Sequence, residues 1–523
     1  MKNKNHFLLF LSIALIVGIV IGGFFNNRLN NNFQGHKSNP SYKIKKLLQF
    51  IKKDHIDTID TGALLDDVIH QLVNKLDPHS VYFPKEAYLE SRENMQGAFE
   101  GIGVQFFMYN DSLVVTQVLK NGPSEKAGIQ AGDRILIADQ DTLYNKKISN
   151  KEIVKILKGL ANTSVNLSIY RKKSKEMLQI PVTRNKVAIH SAEVAYLLNN
   201  NLGYIKIDRF AMTTFDEFKK NINSLQSQGA KNLVLDLRQN GGGYIHIATK
   251  IADEFLKEGK RICFTKNNKG KIKEFYATSK GDFQERKIYV LIDEGSASAS
   301  EIVAGALQDN DVGVIVGRRS FGKGLVQEEM QLGDGSAVRL TVAKYYTPTG
   351  RSIQKPYHLN DAINYAKEYQ ERILGGELLN KDSIKVIDSL KFKTPKGKIV
   401  YGGGGIIPDV FVSIDTISYL KNHDFENLNL FSFEFVDKKR TALKNLDFDE
   451  FVKTFSKNEA ILNAYLKYIK YSKKITTAKR KSLNCYIMAL VAREIFDETA
   501  FYKMHQKQDK MILKVLKLEK QKN

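Results

Sequence analysis

The sequence predicts a multidomain α/β protein, and three observations carry that reading. From about Asn201, β-branched apolar runs ("LGYIKIDRF", "NLVLDLRQNGGG", "IYVLIDEG", "VGVIVG") alternate with amphipathic stretches ("TTFDEFKKNINSLQSQG", "IHIATKIADEFL", "SASEIVAGALQDN"). Such runs are strands covered on both faces, and the amphipathic stretches are their crossover helices. Between residues 101 and 184 the pattern is one of short strands around a single helix, and residues 7–25 carry no charge at all. The expected organisation is an apolar anchor (7–25), a linker (26–40), a helical region (41–100), a β-rich module (101–184), an α/β core (185–415) interrupted by an insertion (355–401), and a basic helical tail (416–523).

The first element, "FLLFLSIALIVGIVIGGFF", has 19 uncharged residues, close to the ~20 that cross a ~30 Å hydrocarbon layer as a helix. No small-x-small cleavage site follows it, so it reads as an uncleaved anchor. Lys2 and Lys4 precede it and Arg28, Lys37 and Lys43 follow, so charge leaves its orientation open.

After the Asn-rich linker, "YKIKKLLQFIKKDHID" and "LLDDVIHQLVNKL" place apolar residues at helical spacing, and "DPHS" breaks the pattern. The strands of the next module ("IGVQFFM", "SLVVTQVL", "VNLSIYR", "LQIPVTR") flank "NKEIVKILKG", a helix that Asn150 can cap and Gly159 can end.

Composition narrows the function. The chain of 523 residues has a net charge of +23, and residues 437–523 hold 21 Lys/Arg against 10 Asp/Glu. Such an excess favours anionic surfaces, but no nucleic-acid module accompanies it and it reads as a solvated face. Cys263 and Cys485 have no metal-ligand spacing, which excludes a disulfide framework and a zinc ribbon and leaves one long-range bridge open.

Three strand ends in the core hold the candidate chemistry. "DLRQNGGG" stops a buried strand at Asp236 and Arg238, and Gly241, Gly242 and Gly243 let backbone approach a substrate. "DEGSASASE" turns a strand into a helix whose start carries Ser296, Ser298 and Ser300. "GRRSFGKGLVQ" sets Lys323 in a glycine-flanked turn; it nearly spells a phosphate loop, but Gly324 stands where Ser or Thr would hold magnesium. Each has a plain structural reading: Ser298 with Glu301 fits a capping box, and Lys323 fits a surface lysine. Taken together they suit covalent catalysis. A serine at a helix start sits among free N–H groups in the positive end of the dipole. A lysine serves as its base when desolvated, here by Phe321, Leu325 and Val326. Gln327, four residues on, is placed to hold the amine, and no histidine lies in a comparable motif.

Two resemblances follow from these stretches. "EGIGV" with "GPSEKAGIQAGDRIL" resembles a PDZ domain, which implies a groove for a chain terminus, its carboxylate on Gly101, Ile102 and Gly103 with Val104 opening the strand that a peptide extends. "LDPHSVYF", "DLRQNGGG", "SASASEIVAGALQD", "GRRSFGKGLVQ", "YYTPTGRSIQ" and "GGGGIIPDV", in that order over roughly 76–412, resemble the carboxyl-terminal processing (tail-specific) proteases. That resemblance implies a crotonase- and Clp-related core, Ser298 as nucleophile, Lys323 as general base, Gln327 as its orienting partner, and an oxyanion hole from the N–H groups of Gly243 and Ala299. It implies no metal or cofactor, protein substrates held by their C-terminal tails, and a membrane-tethered body on the periplasmic side of the bacterial inner membrane. The insertion 355–401 and the tail depart from the family pattern and leave room for a homo-oligomer or an adaptor protein. The competing readings are a catalytically inactive PDZ scaffold, which the presence of all three catalytic candidates disfavours, and a nucleotide-binding protein, which Gly324 disfavours.

Overall fold

The computed structural model describes residues 12–20, 40–359, 362–414, 422–443, 445–455, 459–471 and 474–521. The chain divides into two compact units, 1–72 and 73–523. In the first, 12–20 are helical and exposed, and the helix Pro40–Asp54 buries none of its residues. The rest of the expected anchor 7–25, and linker residues 26–39, lie outside the described residues. No helix among the described residues is long and apolar enough to cross a membrane.

The second unit is built on a six-stranded sheet ordered Ala195–Asn199, Leu202–Lys206, Asn232–Asp236, Ile288–Ile292, Gly313–Gly317, Val410–Phe411. The first pair is antiparallel and the others are parallel. Side chains alternate between two dry faces, as a period of two requires. Ile205, Leu233, Leu235, Ile288, Val290 and Ile315 pack among the helices Thr214–Ser227, Ile245–Asp253 and Ala299–Asp309. Tyr204, Val234, Tyr289, Leu291 and Val316 face the other way and pack on Met511, Ile512 and Val515. Those three belong to the last helix, Lys510–Lys520. The tail expected as a separate region, 416–523, therefore ends by sealing the core sheet.

A second, antiparallel sheet joins Val81–Phe83, Ala337–Tyr346, Arg261–Asn267 and Ile272–Tyr276, with Leu325–Gln331 also on Ala337–Tyr346. The region 41–100, expected to be helical, thus contributes a strand here and a second one at Ala98–Gly101.

The β-rich module holds Val104–Tyr109, Ser112–Val118, Arg134–Ala138, Ser164–Arg171 and Glu176–Thr183 in one sheet, with Val104–Tyr109 at its edge. Its helix Asn150–Leu157 is capped by Ser149 rather than Asn150, and ends at Lys158 before Gly159. Ser149 and Glu152 form a reciprocal capping box, the Glu152 carboxylate accepting from the Ser149 N–H at 2.8 Å.

The helices between 422 and 505 bury a cluster of their own around Phe431, Phe451, Tyr465 and Ile487. They rest on the module: Phe433 meets Phe107 edge-on at 4.9 Å, Glu434 accepts from the Tyr109 hydroxyl at 2.8 Å, and Asp437 pairs with Lys172. Cys263 and Cys485 are both free thiols, so the bridge left open by the sequence is not formed.

Candidate active site

The strand Ile288–Ile292 runs into the helix Ala299–Asp309 through a turn whose last residue is Ser298, at φ 54°. A non-glycine residue there costs about 1–3 kcal/mol and persists only when its surroundings fix it. The two flanking serines do the fixing. Ser296 Oγ donates to the Leu237 carbonyl at 2.8 Å and accepts from the Asp293 N–H at 3.0 Å. Ser300 Oγ donates to the Asn240 carbonyl at 2.8 Å. Both are fully buried, and they staple the turn to "DLRQNGGG", while Ser298 is half-buried.

The glycines of that stretch are required by contact. A Cβ on Gly242 would lie 2.8 Å from Cβ of Ser298, and one on Gly243 would lie 2.3 Å from the Phe210 carbonyl oxygen. Backbone thus runs directly beside Ser298. Among the described residues the N–H groups of Gly243 and Ala299 have no acceptor. That leaves two donors beside one hydroxyl, the equipment that an oxyanion needs.

Glu301 joins Ser298 to Lys323. Its Oε2 accepts from the N–H of Ser298 at 2.8 Å and from the N–H of Lys323 at 2.9 Å. Its Oε1 accepts from the Gly322 N–H at 2.7 Å and from Ser320 Oγ. The carboxyl is fully buried, and burial raises its pKa against those four hydrogen bonds. The sequence marked Glu301 only as a helix cap; the S-x-x-E spacing shows the Ser298 contact, and nothing local shows the Lys323 contact.

Lys323 Nζ donates to Oε1 of Gln327 at 2.8 Å, and Gln327 Nε2 donates in turn to the His79 carbonyl. A register shift between Val326 and Gln327 interrupts their strand, the kind of bulge that re-aims a side chain. Burial lowers the pKa of Lys323, the Arg339 guanidinium lowers it further, and Glu301 and Asp77 oppose the shift. Leu325 is buried and Phe321 and Val326 are half-buried, as a desolvated amine requires. Nothing in the sequence around Arg339 signals its place beside Lys323, and His79 lies within "LDPHSVYF" with no local sign of this contact. His79 is itself held low, at about 4, by burial and then by the charge on Lys323. Asp77 pins its backbone, accepting from the N–H groups of His79 and Ser80 at 2.8 and 2.9 Å and from Thr341 Oγ1 at 3.1 Å.

The near-P-loop is not a phosphate loop. Its lysine leads into the strand Leu325–Gln331 instead of a helix, and its N–H groups are spent on a carboxylate. Asp236 and Arg238 have structural work. Burial raises the Asp236 pKa, but Arg238 and Lys206 hold it down at about 2, and Arg238 also pairs with Asp509 at 2.7 Å.

At the β-rich module, Ile102 and Gly103 have their carbonyls tied down by the N–H groups of Ser124 (2.9 Å) and Leu119 (3.0 Å), while their own N–H groups have no acceptor among the described residues. Gly101 pairs with Asn185, and Val104 begins the edge strand. Two free donors at the mouth of an unpaired strand edge form a cradle for a carboxylate beside a surface for β-augmentation.

Comparison with known proteins identifies the domains and the family. Peptidase family S41 matches residues 201–362, a PDZ domain matches 101–182, and a family of unknown function (DUF8443) matches 425–497. A carboxy-terminal-processing protease of Bartonella bacilliformis is 33% identical over 349 residues, covering 66% of this chain and 78% of the relative. The carboxy-terminal processing protease CtpB of Bacillus subtilis is 32% identical over 319 residues, covering 60% of this chain and 65% of the relative. Among solved structures, the photosystem II D1 C-terminal processing protease is 26% identical with a TM-score of 0.35, covering 71% of this chain and 86% of that one.

Proposed function

The chain belongs to the carboxy-terminal-processing proteases of peptidase family S41 and is a serine-type peptidase; from that premise we propose that it cuts proteins near their C-termini with a Ser298–Lys323 dyad. The observation that carries the dyad is the shared carboxylate: Glu301 Oε2 holds the backbones of both residues. Neutral Lys323 takes the proton from Ser298 Oγ as that oxygen bonds to the scissile carbonyl carbon. The carbonyl oxygen gains the charge and is held by the N–H groups of Gly243 and Ala299. Lys323 then passes its proton to the leaving amine as the C–N bond breaks, and water releases the acyl group by the same steps in reverse order. Gln327, accepting one amine N–H, keeps the nitrogen lone pair aimed at Ser298.

The PDZ domain supplies the substrate grip. A free C-terminus bound by Ile102 and Gly103 beside the Val104–Tyr109 edge gives the tail selectivity that the relatives' names carry. For location, the 19 uncharged residues at 7–25 support a single-pass anchor in the bacterial inner membrane, with the catalytic body on the periplasmic side by family resemblance. The test is cleavage of an unfolded, tagged protein ending in apolar residues. Wild type digests it and Ser298→Ala leaves it intact; digestion by Ser298→Ala overturns the assignment.

A further inference from the structure

The turn that carries Lys323 is gripped from two sides. Glu301 takes its N–H groups from within, and the insertion takes its carbonyls from without. Arg372 lies near the end of the helix Ala362–Leu374 and is 5% exposed. Its Nη2 donates to the Arg319 carbonyl at 2.8 Å and its Nη1 to the Ser320 carbonyl at 3.1 Å. Glu377, just past the helix, holds two guanidinium groups together: it accepts from Arg372 Nε at 2.9 Å and from Arg319 Nε and Nη2 at 2.7 and 2.6 Å. The Lys355 N–H donates to the Gly322 carbonyl at 2.9 Å, and its ammonium reaches Glu368 of the same helix at 2.9 Å. Arg319, Ser320 and Gly322 lead directly into Lys323. The S41 match ends at residue 362, so Arg372 and Glu377 come from outside it.

We propose that the insertion 355–401 is a brace that sets the position of the catalytic lysine, with Arg372 as a positioning residue acting through the carbonyls of Arg319 and Ser320. A turn whose N–H groups converge on one carboxylate points its carbonyls the other way, and in a buried setting those carbonyls need donors of their own. A guanidinium supplies two in fixed geometry, and its pairing with Glu377 limits its freedom. Rate is sensitive to this because a base displaced by about 1 Å loses about 100-fold. The brace rests on Lys323 being the general base.

The test uses full chains of wild type, Arg372→Ala, Arg372→Lys and Lys323→Ala on a peptide with a free apolar C-terminus, measuring kcat and KM across pH. Arg372→Ala is expected to lose about 10- to 100-fold in kcat with KM within about twofold. Its acid limb moves to higher pH as Lys323 gains water. Arg372→Lys, able to hold one carbonyl, falls between. Arg339, Glu301, Asp77 and His79, the charged and titratable groups acting on or beside Lys323, are untouched, so a moved limb reports on Lys323 itself. If Lys323→Ala is inactive while Arg372→Ala keeps wild-type kcat, the brace is overturned. It is overturned equally if kcat falls with an unmoved acid limb, because general loosening of the fold does that. Should Arg372→Ala fail to fold, the limb of Arg372→Lys decides alone. An active Lys323→Ala overturns the base assignment instead.

Discussion

The backbone N–H groups of Ser298 and Lys323, 25 positions apart in the sequence, meet at a single oxygen atom of Glu301, at 2.8 and 2.9 Å. The proposed nucleophile and the proposed base, supplied by a helix start and by a separate turn, thus have their backbones held at one point. That carboxylate raises the Lys323 pKa, against the burial that lowers it, and so works against the neutral lysine that the proposed mechanism uses. Two substitutions separate these effects.

Glu301→Gln removes the negative charge and turns one acceptor oxygen into a donor that faces N–H groups. Activity is expected to fall about 10- to 100-fold through lost alignment, with about 1–3 kcal/mol lost in stability. The surviving activity has its acid limb at lower pH, because the influence that raises the Lys323 pKa is gone. Arg339→Gln moves the limb the other way, since Arg339 lowers that pKa. Limbs that shift in the same direction in the two variants contradict this electrostatic account.

With Lys323 as the proposed base, its titration is expected to set the pH profile of the wild type. Its pKa lies below the usual lysine value, by burial first and Arg339 second, so the neutral amine accumulates, and the rate rises, as pH increases through that lowered value. Lys323→Arg keeps the positive charge and cannot give up a proton, so it is expected to be inactive at every pH from 6 to 10 (about the working range of the assay). Turnover by the arginine variant counts against the base role.

The three serines of the turn answer differently to alanine. Ser298→Ala is expected to lose at least about 1,000-fold in kcat with an unchanged melting curve. Ser296→Ala and Ser300→Ala lose buried hydrogen bonds to the Leu237 and Asn240 carbonyls and should cost about 1–3 kcal/mol each in stability. Denaturant melts beside rates give the comparison. A stable Ser296→Ala protein with no activity would reassign the nucleophile.

The PDZ cradle predicts selection by chain end. Binding of a carboxylate by backbone donors is worth about 2–3 kcal/mol, a preference of about 30- to 150-fold at sub-saturating substrate. Amidating the terminus, or ending it in Asp-Asp, should slow cleavage by that factor, and removing residues 101–184 should erase the difference. Equal rates for free, amidated and acidic ends in the intact protein place selection elsewhere.

Much of this was legible in the sequence because it lies in local pattern. Apolar runs of five residues became strands, and "SASASE" and "GRRSFGKGLVQ" became the turns expected of them. What escaped depends on distance along the chain or on backbone atoms. The His79 carbonyl that holds Gln327 has no side-chain signature, and Glu301 showed one of its four partners. The Ser149 cap was readable, since "SNKE" offers the same S-x-x-E spacing, but Asn150 is an equally good capping residue one position on. The last helix is masked by its composition: six lysines from Lys507 to Lys522 are the pattern of a solvated face, while Met511, Ile512 and Val515 at helical spacing carry the stripe that seals the core sheet.

The dyad is most directly tested by finding the atom that a substrate-like electrophile captures. The protein is treated with a small fluorophosphonate at alkaline pH, digested, and the adduct located by mass spectrometry, in wild type and in Lys323→Ala. The dyad predicts a single phosphonylated residue, Ser298, formed at least about 100-fold more slowly without Lys323. An adduct on Ser296 or Ser300, or labelling of Ser298 at an equal rate in the Lys323→Ala protein, contradicts it.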